Sequence, residues 1–142
     1  MAVFTYRQKV LFQHCDPAGI VFFPRYFEMI NLVVEEWFRM GLDWGFRQMH
    51  ENDDRGIPTA KIAVDFNAPS RLGDVLDWSL EVKRIGSSSL DVEIIASCEG
   101  ELRLTCASTL VQFVKSTGRP IAWDEQIRDR IRGFEEQVTT GQ

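Results

Sequence analysis

The sequence predicts an α+β fold in which a long, curved antiparallel sheet wraps one central helix. Three observations carry this expectation. Residues 25–40 form a helix-length segment that is apolar around most of its circumference. Four segments between residues 57 and 115 alternate with a period of two and are separated by turn residues. A further strand-like segment precedes the helix. One helix layer against one sheet is a stable way to bury both apolar faces. The 142 residues fit a single domain, 1–142, and a chain of this size buries roughly 68–70% of the surface its unfolded form exposes.

Residues 6–13 place Tyr6, Gln8, Val10 and Phe12 on one side and Arg7, Lys9, Leu11 and Gln13 on the other, which predicts a strand. Asp16, Pro17 and Gly19 then supply turn chemistry, because proline fixes its own φ and glycine accepts tight backbone paths. Pro24 suits the first helical position, where a missing N–H costs nothing. Residues 25–40 contain no glycine or proline. At 100° per residue, Arg25, Glu28, Asn31, Glu35, Glu36 and Arg39 fall within roughly 140° of arc. Apolar side chains, among them Tyr26, Met29, Ile30, Val33, Val34 and Trp37, occupy most of the remainder. A surface helix needs an apolar stripe of only about 100°, so this one is expected to be enclosed on more than one side. Gly41 is a stop signal.

Residues 42–56 read as a short helical turn around Trp44, Phe46 and Met49, followed by a solvated charged loop. From Ile57 the period is two. Ala60, Ile62, Val64 and Phe66 alternate with Lys61, Ala63, Asp65 and Asn67; Leu76, Trp78, Leu80 and Val82 alternate with Asp77, Ser79, Glu81 and Lys83. Residues 90–99 continue the pattern, and residues 102–115 form the last long strand. Turns at 68–74, 86–88 and Gly100 predict an antiparallel meander with one buried face. Residues 116–120 end the sheet, and residues 124–137 predict a charged terminal helix.

Composition narrows the function. Sixteen basic against twenty-one acidic residues, a net charge of −5, argue against a general nucleic-acid binder. Cys15, Cys98 and Cys106 are an odd set without CxxC spacing, which fits a reducing compartment better than a disulfide scaffold or zinc site. Only two histidines are present, His14 and His50, far apart, so no metal site is expected. The N-terminal residues lack a signal-peptide apolar core, and no run approaches the ~20 apolar residues of a membrane span. The expectation is a cytoplasmic protein without membrane or nucleic-acid partners.

Cys15-Asp16-Pro17-Ala18-Gly19-Ile20-Val21, followed by Phe23-Pro24 and Tyr26, resembles the active-site segment of the 4-hydroxybenzoyl-CoA thioesterase family, acyl-CoA thioesterases of the hotdog fold. Ile57-Pro58, Asp65-Phe66, Pro69, Gly73-Asp74 and Ser89 are similar to later parts of the same family, so the resemblance spans essentially the whole chain. It implies the hotdog fold and hydrolysis of an acyl-CoA, with an aroyl-CoA such as 4-hydroxybenzoyl-CoA favoured. It also implies no separate cofactor, since coenzyme A is part of the substrate, and a homodimer or dimer of dimers with the site between protomers. Carried over by position, Asp16 is the catalytic carboxylate and the Phe23 backbone N–H polarises the thioester carbonyl. Both roles make physical sense. An aspartate ionised at neutral pH serves as nucleophile or general base, and a helix start offers unpaired N–H groups where an oxyanion forms. Where the family carries a basic run that meets the CoA phosphates, this chain has Gly86-Ser87-Ser88-Ser89. Arg84, Ser87, Ser88 and Ser89 are the expected CoA contacts, because hydroxyls and loop N–H groups cradle phosphate.

Plainer readings stand beside these. An Asp-Pro-x-Gly turn ahead of a helix is often only a turn. His14 reads as a polar strand-end residue, Cys15 as a small packed one, and His50 as solvent-facing. Glu35 and Glu36 border either an acyl pocket, a subunit interface or solvent. Two other functions stay open: a non-catalytic acyl-CoA binding module, which leaves Asp16 without a purpose, and a hotdog dehydratase, which would need His14 as its base.

Overall fold

A computed structural model describes residues 2–136. Its main sheet has five strands: β1 (Phe4–Lys9), β3 (Thr59–Phe66), β4 (Val75–Ile85), β5 (Ser89–Cys98) and β6 (Glu101–Val111), in the order β1-β4-β5-β6-β3 and antiparallel throughout. A small second sheet joins β2 (Arg55–Gly56), β7 (Phe113–Val114) and β8 (Arg119–Pro120). Helix α1 (Arg25–Glu36) lies against the concave face, and α2 (Glu125–Arg132) closes one end. This is the expected hotdog arrangement.

The core follows the alternation. Leu76, Trp78, Leu80 and Val82 of β4, Leu90, Val92, Ile94 and Ala96 of β5, and Leu104, Cys106 and Leu110 of β6 are buried on the inward face. They meet Tyr26, Met29, Ile30, Val33, Val34, Trp37 and Phe38, so the helix is enclosed broadly, as its wide apolar arc requires. Each such aliphatic or aromatic side chain contributes about 1.5–3 kcal/mol by leaving water. Burial in this apolar core pushes the Cys106 thiol up to about 11, which makes it an inert packing group.

The helix does not run unbroken to Met40. It ends as α-helix at Glu36 and continues as one wide turn over Trp37–Gly41, where the Leu42 N–H donates to the Trp37 carbonyl. Gly41 makes that turn feasible: a Cβ there would stand 2.7 Å from Trp37 Cδ1.

Four further expectations change. The first strand runs from Phe4 to Lys9 rather than over 6–13, because the His14 ring captures the Leu11 N–H and starts a 3-10 turn, Phe12–His14. The four later strands are not one meander: β4, β5 and β6 are, but β3 pairs with β6 on the far edge. Alternation reports which face a residue takes, not which neighbour its strand finds, and connection 67–74 is long enough to cross the sheet end. The charged loop at 51–55 is not simply solvated. Asp53 accepts from the Trp44 indole at 2.7 Å and Asp54 from the Ser116 hydroxyl at 2.6 Å. The terminal helix stops at Arg132, and its expected end at Gln137 lies outside the described residues.

Two edges of the sheet differ. Beyond β1, Phe134 and Glu136 bond the backbone of Val82 and cover the exposed rim of β4. Among the described residues nothing covers the outer edge of strand β3 in this way. Its inward face carries Ile62, 38% exposed, and Phe66, 49% exposed.

Candidate active site

Residues 14–22 form a small hairpin whose sequence dictates its shape. The Phe22 N–H donates to the His14 carbonyl, Cys15 pairs with Val21, and the Asp16 N–H donates to the Ile20 carbonyl. The tip closes with the Gly19 N–H on the Asp16 carbonyl at 2.9 Å, at a φ of +81° that favours glycine. Asp16 therefore sits on an arm of the hairpin and Phe23 at its exit into α1.

Asp16 is half-buried. Its Oδ1 accepts the Ala18 N–H at 2.9 Å, and among the described residues no group donates to Oδ2. One oxygen is thus fixed and the other is open to act. The helix entrance is equally selective. Phe22 donates to His14, Pro24 has no N–H, and Arg25, Tyr26 and Phe27 donate to the carbonyls of Phe22, Phe23 and Pro24. Of the amides from Phe22 to Phe27, that of Phe23 has no acceptor among the described residues. A helix N-terminus adds partial positive charge to such a donor.

His14 is buried, not a polar residue at a strand end. Its Nδ1 accepts the Leu11 N–H at 2.8 Å, which leaves the proton of the neutral ring on Nε2. Burial lowers its pKa, with Glu28 opposing and Arg25 adding to that effect. A neutral ring with its one lone pair engaged has no site to take a proton. Cys15 is half-buried, with Sγ 3.6 Å from the Leu11 carbonyl.

Phe23 also lines a cleft of about 280 Å³ with Val21, Tyr26, Phe66, Asn67 and Pro69. Three rings meet there: Phe23 and Phe66 with centroids 6.1 Å apart, and Tyr26 and Phe66 5.6 Å apart. Asp16 does not line this cleft; it stands on the hairpin beside it. A second cleft, about 440 Å³, lies farther along α1 and β3 and includes Asn31, Glu35, His50 and Thr59, so His50 faces a cleft rather than open solvent. A third cleft, about 630 Å³, lies between residues 43–55 and α2 and shares no residue with the hairpin. Among the described residues no group of three His, Cys, Asp or Glu is arranged to hold a metal.

Arg84, Ser87, Ser88 and Ser89 are not brought to Asp16 within the chain. They lie at the far end of β4, an 11-residue strand whose other end adjoins the turn against the Asp16 hairpin, a span of roughly 33 Å. The loop carbonyls are engaged: Gly86 and Ser87 accept from Arg128, Ser88 from the Gln112 N–H, and Ser89 from the Trp123 indole.

The sequence did not reveal the support beneath the hairpin. Ser70 accepts the Val21 N–H, Leu72 donates to the Gly19 carbonyl, and Ile20 bridges Arg71. This supporting turn is gripped by Arg103, whose Nη1 reaches Asp74 Oδ2 at 2.7 Å, Ser70 Oγ at 3.2 Å and the Pro69 carbonyl at 3.3 Å. The Arg103 guanidinium and the Arg71 N–H hold the Asp74 carboxyl below its ordinary value, and Asp74 in turn raises Arg103. In the sequence Arg103 is one more outward-facing residue of a strand, with nothing local to single it out.

Comparison with known proteins places the chain in a family. Residues 10–131 match the model of the thioesterase-like superfamily. The chain is 29% identical over 82 residues to a 1,4-dihydroxy-2-naphthoyl-CoA hydrolase from Synechocystis sp., which covers 58% of this chain and 59% of the relative. The match thus spans about three-fifths of that relative's length. Among solved structures, a 1,4-dihydroxy-2-naphthoyl-CoA thioesterase from Synechocystis superposes with a TM-score of 0.83 at 20% identity, covering 92% of this chain and 96% of the other. A Staphylococcus aureus protein solved in complex with CoA superposes at 0.84 with 20% identity, covering 99% and 90%.

Proposed function

The chain belongs to the thioesterase-like superfamily, and from that premise we propose that it hydrolyses an acyl-CoA to the free acid and CoA. The observation that carries this is the placement, on one hairpin and at its exit, of an Asp16 oxygen without a donor and a Phe23 amide without an acceptor among the described residues. The Phe23 N–H receives the thioester oxygen as it gains negative charge. Asp16 Oδ2 either attacks the carbonyl carbon, expelling the CoA thiolate and leaving an anhydride that water opens, or takes a proton from the water that attacks directly. The protein needs no cofactor for either route and acts in the cytoplasm.

An aroyl group suits the cleft at Phe23, Tyr26 and Phe66, since offset and edge-on ring contacts favour an aromatic guest. The named relatives, which act on 1,4-dihydroxy-2-naphthoyl-CoA, support the same class; 4-hydroxybenzoyl-CoA is a further candidate. The dehydratase alternative loses its base, because His14 Nδ1 is already occupied. The test is CoA release, followed with a thiol reagent, across aromatic, short-chain and long-chain acyl-CoAs. Turnover is expected to be highest with aroyl-CoAs. Binding of the whole panel without CoA release would mean a non-catalytic acyl-CoA module instead.

The protein acts as a homodimer or a dimer of dimers. Among the described residues nothing pairs with the outer edge of strand β3, and Phe22, Phe23, Ile62 and Phe66 expose apolar surface around the cleft. Such an edge is normally covered by pairing. A partner also resolves the distance along β4, because its Arg84 and serine loop are then free to meet the CoA of the other subunit's site. Light scattering is expected to report a dimer or larger, and Ile62→Lys to dissociate it. An active monomer in the unmodified protein would overturn this assembly.

A further inference from the structure

We propose that Arg103 is the positioning residue of the active site, setting the reach of Asp16 by clamping the turn on which its hairpin rests. The proposal depends on the thioesterase reading above. Three features point to it. The Arg103 carbonyl accepts the Asn67 N–H at 2.9 Å, while its side chain holds Pro69, Ser70 and Asp74, so one residue spans connection 67–74 from end to end. The clamped turn carries both partners of the hairpin, the Ser70 carbonyl and the Leu72 N–H. The same connection supplies Asn67 and Pro69 to the cleft opposite Phe23 and Tyr26. A shift at Arg103 therefore moves the carboxylate and the cleft wall together, relative to the Phe23 N–H on the helix side.

The clamp is firm. The Arg103 side chain is 12% exposed, Ser70 is fully buried, and Glu101 holds Nε at 2.6 Å from the other side. Partly buried, forked charge pairs of this kind resist screening and fix direction as well as distance. Lysine has no fork and cannot meet Asp74 and Ser70 while remaining on Glu101.

The experiment compares Arg103→Met, Arg103→Lys and the smaller Ser70→Ala in the full-length protein, with kcat and KM measured below each variant's melting temperature. A misplacement of about 1 Å costs on the order of 10²-fold, so Arg103→Met is expected to lower kcat by about 10- to 100-fold at a KM within about twofold. Arg103→Lys falls between it and the parent. In Arg103→Gly, methylguanidinium restores part of kcat. A purely structural arginine gives a different result: a lower melting temperature with kcat of the folded enzyme unchanged, which overturns the proposal. If Arg103→Met does not fold, Ser70→Ala decides, with a kcat drop expected and an unchanged kcat overturning it. Asp16→Asn, run in parallel, separates the two claims. If it keeps full turnover, the thioesterase mechanism fails; if it loses turnover while the Arg103 variants keep theirs, only the clamp does.

Discussion

Asp16→Asn is expected to lower kcat by about 10²–10⁴-fold, the range that a positioned acid–base group contributes, while KM changes little. The geometry makes this substitution unusually clean. The asparagine carbonyl oxygen still accepts the Ala18 N–H that Asp16 Oδ1 holds at 2.9 Å, so the hairpin tip keeps its shape. The atom at the Oδ2 position becomes an amide nitrogen, which neither attacks a carbonyl nor takes a proton from water. Stability should be close to that of the parent, because the group removed has no donor among the described residues. Thiol-reagent detection of CoA measures the rate, and unchanged turnover sinks the mechanism. The same carboxylate reports on the route. In a single turnover in ¹⁸O water, label appearing in the Asp16 carboxylate marks an anhydride opened at the aspartyl carbonyl, whereas label confined to the product acid fits both direct attack by water and an anhydride opened at the acyl carbonyl.

What the sequence discloses about this site follows from how local each feature is. The Asp16 turn is legible because proline, glycine and a side-chain acceptor act within four positions, and the bonds that close its tip, from the Gly19 N–H to the Asp16 carbonyl and from the Ala18 N–H to Asp16 Oδ1, lie inside residues 14–22. The helix is legible because its apolar arc is a property of one segment. The β3 position is not: Ala60, Ile62, Val64 and Phe66 alternate as cleanly as the core strands, yet they end at an open edge beside β6. Period two encodes a face, and strand order is decided by which distant surfaces remain to be covered. Arg103 is silent for the same reason, since Pro69, Ser70 and Asp74, which its side chain clamps, lie at sequence separations of 29 to 34. The support of the serine loop is silent in the same way: its carbonyls are taken by Arg128, Trp123 and Gln112, residues with no sequence mark of that task. His14, adjacent to the motif, draws attention as a base and serves instead as a cap on the Leu11 N–H.

The second large effect comes from a backbone atom, which side-chain mutagenesis does not reach. Replacing residue 23 by the α-hydroxy analogue of phenylalanine converts its amide to an ester, deleting the N–H and keeping the ring. The expected cost is about 10²–10³ in kcat, the range for loss of one oxyanion donor. KM should hold, because a donor aimed at developing charge binds the transition state more strongly than the ground-state carbonyl. The substitution breaks no hydrogen bond within the described residues, since that amide has no acceptor there. An ester also weakens the Phe22 carbonyl that accepts the Arg25 N–H at 2.8 Å, so a control is needed. An ester at Phe27 deletes an amide that is bonded, to the Pro24 carbonyl at 3.1 Å. It is expected to cost about 0.5–1.5 kcal/mol of stability and to spare turnover. If residue 23 behaves like residue 27, losing stability but not rate, the electrophilic group lies elsewhere and the helix entrance is only structural. If the two separate as expected, the helix start is a working part of the site. That would explain why exposed Phe22 and Phe23 can flank the chemistry without a polar side chain between them.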